Sequence, residues 1–216
     1  MRPITVSVGP LAAASANNIA LSQTPGAAGA MTLNGSLVKA GVATLDNPRR
    51  VLITTADTTT KFTINGCSPT GTALTETFLI VAGATYSQLD YAKVTSITVN
   101  QGATAAVTVG TNGIASTPWV RFDEWAKPQV SIQCNASGTV NYTLQVSNDD
   151  PNSPWVSPPV LPSAMTWLNT NDPAAVGATA SIQTNFLFAP TFARVLLNSG
   201  TGTVTATMTQ FDVVSR

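Results

Sequence analysis

Short alternating segments rich in β-branched residues predict an all-β chain of two tandem antiparallel β-sandwich domains, Ig-like or jelly-roll-like, with minimal helix. Three observations carry that expectation. Apolar residues alternate with Thr, Ser or Asn along most of the chain, the period-two signature of half-buried strands. Asn-Gly pairs and prolines punctuate these segments at the spacing of a sandwich. No stretch carries the 3.6-residue apolar stripe of an amphipathic helix.

The elements follow in order. Residues 1–30, rich in Ala, Gly, Ser and Asn, read as an N-terminal arm that orders on contact with a partner. Within it, Leu11 to Leu21 is Ala-rich and predicts at most a short helical turn. The first sandwich, 31–116, holds strands around Val51–Thr55, Lys61–Ile64, Val94–Val99 and Ala106–Val109. Asn34-Gly35, Asn65-Gly66 and Asn112-Gly113 read as its tight turns. Asn-Gly and Thr-Pro between Gly113 and Pro118 mark the domain boundary. The second sandwich, 117–216, holds strands around Val130–Ile132, Val140–Val146, Arg194–Leu197 and Thr203–Met208.

A loose internal repeat supports two related domains. Ile97-Thr98-Val99-Asn100-Gln101-Gly102 precedes a Val-Thr strand in one half, as Val195-Leu196-Leu197-Asn198-Ser199-Gly200 does in the other. The largest departure from strand rhythm is the Pro-rich segment 150–162, which cannot hold a central ladder because proline donates no backbone hydrogen bond. It reads as an ordered loop or extended arm anchored by Trp155.

Composition narrows the function. The chain has ten basic and ten acidic residues, no histidine and zero formal net charge. Histidine is the easiest side chain to titrate near neutral pH and the commonest metal ligand, so acid–base and metal chemistry lose their usual carriers. Without clustered Lys and Arg there is no electrostatic footprint for nucleic acid. No apolar run approaches the ~20 residues of a membrane span, and the first residues lack a secretory signal, so synthesis in the cytoplasm is expected. Near-zero net charge favours self-association.

The candidate sites follow from the few reactive or bulky groups. Asp149, Asp150 and Asp172 lie in oxygen-rich loops of the type calcium prefers, but lack EF-hand spacing and its bidentate Glu. The reading adopted is that they cap turns beside proline, and no cofactor is expected. Asp123 and Glu124 are adjacent, so on a strand they point to opposite faces and cannot converge on one bond. Trp119 and Trp125, six residues apart, would share a face of an extended segment and form either an aromatic platform or a packing pair. Trp119, Trp125, Trp155 and Trp167 are the interface candidates. Cys67 and Cys134 read as two thiols behaving as small hydrophobes. The sequons at Asn135 and Asn141 are read as accidental without a secretory signal.

Three segments carry a family resemblance: 117–125 (TPWVRFDEW), 138–146 (GTVNYTLQV) and 149–154 (DDPNSP). Together with the Ala/Gly/Thr-rich first half, they resemble small virion structural proteins of tailed bacteriophages. The resemblance implies a non-enzymatic capsid decoration or cement protein bound to the major capsid protein, or a tail, collar or fibre module binding a host receptor or carbohydrate. It also implies a homo-trimer or homo-dimer located in the virion, and transfers no catalytic residue.

Overall fold

The computed structural model describes residues 3–80, 83–122, 128–155 and 157–211. The sheets are built from antiparallel strand pairs, and the only helical pieces among the described residues are two 3-10 turns, Pro162–Ala164 and Pro173–Ala175. No helix among them is long and apolar enough to cross a membrane. The chain divides into two compact units: Ala12–Gly113, and Met1–Leu11 with Ile114–Arg216.

In the first unit the long strand Val42–Thr55 pairs with Tyr91–Val99, which pairs with Lys61–Cys67, which in turn pairs with Ala73–Leu79. Alternation sets what is buried. Val51, Ile53, Phe62, Ile64, Val94 and Ile97 are fully buried, while Thr, Lys and Ser between them reach solvent or half-buried positions. Burying each such side chain stabilises the fold by roughly 1.5–3 kcal/mol. Asn65-Gly66 is not a turn but part of the strand Lys61–Cys67. The register with Tyr91–Val99 slips there, and a Cβ on Gly66 would lie 2.0 Å from the Lys93 carbonyl oxygen. Glycine is present for close backbone approach at a bulge. Asn112-Gly113 likewise sits inside a strand, Val107–Ser116.

Within residues 1–30, expected as an arm with a helical turn, the segments Ile4–Val8, Ser15–Gln23 and Gly29–Ala30 are strands. Ser15–Gln23 pairs with Val107–Ser116, burying Ile19 and Ala20 completely. Buried Asn18 donates a 2.8 Å hydrogen bond from Nδ2 to the Thr111 hydroxyl, which offsets part of the cost of a polar group inside a strand, while its Oδ1 is buried without a partner. Ile4–Val8 pairs residue for residue with Thr203–Gln210. Its alternation, Ile4, Val6 and Val8 on one face and Thr5 and Ser7 on the other, is a strand pattern too short to stand out in sequence.

In the second unit a four-stranded sheet runs in the order Ile4–Val8, Thr203–Gln210, Val130–Ser137, Ile182–Phe186. A second layer is built on Phe192–Gly200, flanked by Val140–Ser147 and by the short strand Val120–Arg121. One buried cluster joins the layers: Val8, Ile132, Cys134, Val204, Ala206 and Met208 from the first meet Val120, Tyr142, Leu144, Ala193, Val195 and Leu197 from the second. The outward face of the four-stranded sheet is uncharged and polar. Thr5–Thr207 and Ser7–Thr205 hydroxyl pairs, at 3.2 and 3.0 Å, link its neighbouring strands.

Candidate functional site

The second layer's outward face gathers the large polarizable side chains. Thr117 to Phe122 runs beside Phe192–Gly200, with Val120 opposite Ala193 and Arg121 opposite Phe192. Period two then decides the faces: Val120 and Phe122 enter the core, so Trp119 and Arg121 point the other way. On the neighbouring strand Ala193 and Val195 enter the core, which sends Phe192 and Arg194 to the same outward side.

These residues form a continuous stack. The Arg121 guanidinium lies 5.9 Å from the Phe192 ring centroid, and Trp119 meets Phe192 edge-on at 6.3 Å. Trp119 and Trp167 are 5.3 Å apart, tilted by 54°, and Arg194 lies 4.2 Å over Trp167. Arg194 is buried, its Nε donating to Gln145 Oε1 at 3.0 Å, while Gln145 Nε2 donates to Asn169 Oδ1 at 3.1 Å. A desolvated guanidinium over an indole contributes about 2 kcal/mol, and each offset aromatic pair about 0.5–1.5 kcal/mol beyond burial.

Beside the stack an open cleft of about 230 Å³ is lined by Arg121, Asn148, Asp150, Ser153 and Thr191, with Phe122, Ala189 and Pro190 also bordering it. Arg121 pairs with Asp150 at 2.8 Å, its side chain half exposed. Thr191 donates from its amide to Asn148 Oδ1 and from its hydroxyl to the Asn148 carbonyl, at 3.4 and 3.3 Å. The polar lining is thus tied together across two chain segments.

Of the four tryptophans singled out in sequence, Trp119 and Trp167 meet each other. Trp155 is 91% exposed in the Pro-rich loop. Trp125, with Asp123 and Glu124, lies outside the described residues. Sequence reasoning missed Arg121, Phe192, Arg194 and Gln145. Their signal was the alternation Trp-Val-Arg and Phe-Ala-Arg, but strand pairing across about 70 residues is invisible to a local pattern.

Of the three candidate calcium ligands, Asp150 and Asp172 cap local turns, while Asp149 ties a segment 17 residues away. Asp149 accepts from the Thr166 amide at 2.5 Å, and Asp150 from the Asn152 amide at 2.9 Å. Asp172 caps the 3-10 turn through the Ala174 amide at 3.0 Å. Among the described residues no group of three or more His, Cys, Asp or Glu is placed to hold a metal. Cys67 is half-buried and Cys134 buried, both unbridged, and burial pushes the Cys134 thiol up to about 11. No protein-family model matches the chain, and no curated protein is significantly similar to it.

Proposed function

We propose that this chain is a non-enzymatic structural protein of a tailed-bacteriophage virion, a head decoration or cement protein bound to the major capsid protein. In this reading each unit is a β-sandwich domain, Ig-like or jelly-roll-like, and the protein assembles as a homo-trimer or homo-dimer without nucleic acid or membrane. The observation that carries it is the exposed apolar surface of the second unit. Trp155 is 91% exposed, Phe188 75%, Leu187 67% and Leu161 65%. Single exposed hydrophobes are ordinary, but four large ones in two connecting segments of one unit support an interaction surface. A shell repeats such a contact many times, so modest affinity per copy suffices.

A second reading, a tail, collar or fibre module that binds a host receptor or carbohydrate, draws on the Trp119–Trp167 pair with the Gln145 and Asn169 amides beside it. The head reading is preferred because that pair is already packed by Phe192 and Arg194. Immunogold labelling of purified particles with an antibody to this chain separates the two. Label distributed over the head is the expected result. Label confined to the tail replaces the first reading with the second, and unlabelled particles remove both.

A further inference from the structure

We propose that Ile182–Phe186 is a self-pairing edge: two copies of this chain join these strands antiparallel about a two-fold axis, so that one four-stranded sheet continues into the other. The inference rests on the self-association in the reading above and gives it a surface.

The order of the four-stranded sheet leaves Ile182–Phe186 at one end. It pairs on one side with Val130–Ser137 and, among the described residues, with no strand on the other. The backbone N–H and C=O groups of an open edge are a template for a further strand. Other strands at an edge are guarded. Ile4–Val8 is bracketed by Pro3 and Pro10, which donate no ladder hydrogen bond. Ser15–Gln23 slips register against its neighbour. Ala73–Leu79 carries a buried Glu76, whose carboxylate accepts from the Gln88 and Leu89 amides at 2.7 and 3.0 Å. Leu168–Asn169 is only two residues long. Proline, bulges, inward charge and shortness are the devices that keep edges from pairing. Ile182–Phe186 has none of them: its five residues match Val130–Ser137 without a register shift, and no charged residue occurs between Asp172 and Arg194.

The same features choose a second copy as the occupant. In a two-fold contact a net charge on the edge would repel its own image, and this strand has no charge to repel. Parity then fixes the alignment. Ile182, Thr184 and Phe186 lie on the core side, while Gln183 and Asn185 are exposed on the outward side. Residues of the same face must oppose each other for both cores to lie on one side of the joined sheet. Centring the pair on Thr184 engages all five residues of each strand. Ile182 then opposes Phe186 of the second copy, and Gln183 opposes its Asn185, an apolar pair inside and an amide pair outside. Ile182 and Phe186 are only half-buried in one copy, so the pairing has apolar surface to cover. Leu187 and Phe188, 67% and 75% exposed, follow the strand directly and extend that surface at both ends. Each copy uses its edge once, so the contact closes at a dimer instead of propagating.

Sedimentation velocity of the full chain over a concentration series reads the dimer, and two double variants test the alignment. Gln183→Lys with Asn185→Lys sets each introduced lysine against another, and dimer affinity should fall about tenfold or more. Gln183→Lys with Asn185→Glu sets each lysine against a glutamate, and affinity should return to within about threefold of the parent. Both positions are exposed, so the subunit's melting curve should stay that of the parent in each variant. A parent chain that is monomeric at every concentration overturns the proposal together with the homo-oligomer. A parent that sediments as a trimer, a lysine pair that dimerises like the parent, or two variants weakened equally overturns the proposal and leaves the homo-oligomer standing. Location on the particle is read separately, by the labelling experiment.

Discussion

Two buried ionic side chains show how so few charges are used. Asp57 accepts from the amides of Thr59, Thr60 and Thr104 and from the hydroxyls of Thr59 and Thr60, at 2.7–3.2 Å. These donors, the Thr60 hydroxyl foremost, hold its carboxyl well below the usual carboxylate range. A lowered folded-state pKa stabilises the fold above the unfolded value of 3.8, and that contribution is lost as pH falls through the folded value. Asp57→Asn should therefore melt lower than the parent at pH 7, with the difference shrinking below about pH 4 in parallel thermal scans. An equal deficit at pH 7 and pH 2 would show that the carboxylate charge is not responsible. Arg194 makes the second case. Arg194→Ala removes the Trp167 stack and the Gln145 hydrogen bond, and should cost about 2 kcal/mol or more in urea unfolding of the full chain. A loss under ~0.5 kcal/mol would contradict the stacking account.

At the scale of elements, the Ile4–Val8 strand supplies a fully buried Val8 and closes one edge of the four-stranded sheet. Deleting residues 1–11 should lower the melting temperature by several degrees, since burying Val8 alone is worth roughly 1.5–3 kcal/mol. An unchanged melt would return this segment to the role of a dispensable arm. The contrast explains what sequence can and cannot convey. Thr203–Gln210 was legible because Val204, Ala206 and Met208 alternate cleanly with threonines. Ser15–Gln23 was not, because three consecutive residues, Asn18, Ile19 and Ala20, are all buried in a strand with bulged pairing. Asn65-Gly66 carried a turn signal, but the approach of the Lys93 carbonyl gave the glycine another use. The tryptophans stood out by type, whereas Arg194, the cation over Trp167, came from a separate strand.

For the whole molecule, the proposed place where copies or capsid subunits meet is the exposed apolar surface of the second unit, Trp155 and Leu187-Phe188 foremost. The same low charge that leaves few ion pairs also leaves hydrophobic burial as the chief source of association energy. Trp155→Ala should weaken assembly by about 2 kcal/mol while the subunit's own melting curve stays unchanged, because a side chain 91% exposed contributes little to the fold. Sedimentation velocity over a concentration series reads this directly, and an unaltered oligomer would move the contact elsewhere. The most direct measurement is an electron cryomicroscopy map of the particle with density assigned to this chain. The account predicts density over the head lattice, with Trp155 and Leu187-Phe188 buried against a neighbouring subunit. Density at the tail, or a head position with those side chains facing solvent, would contradict it.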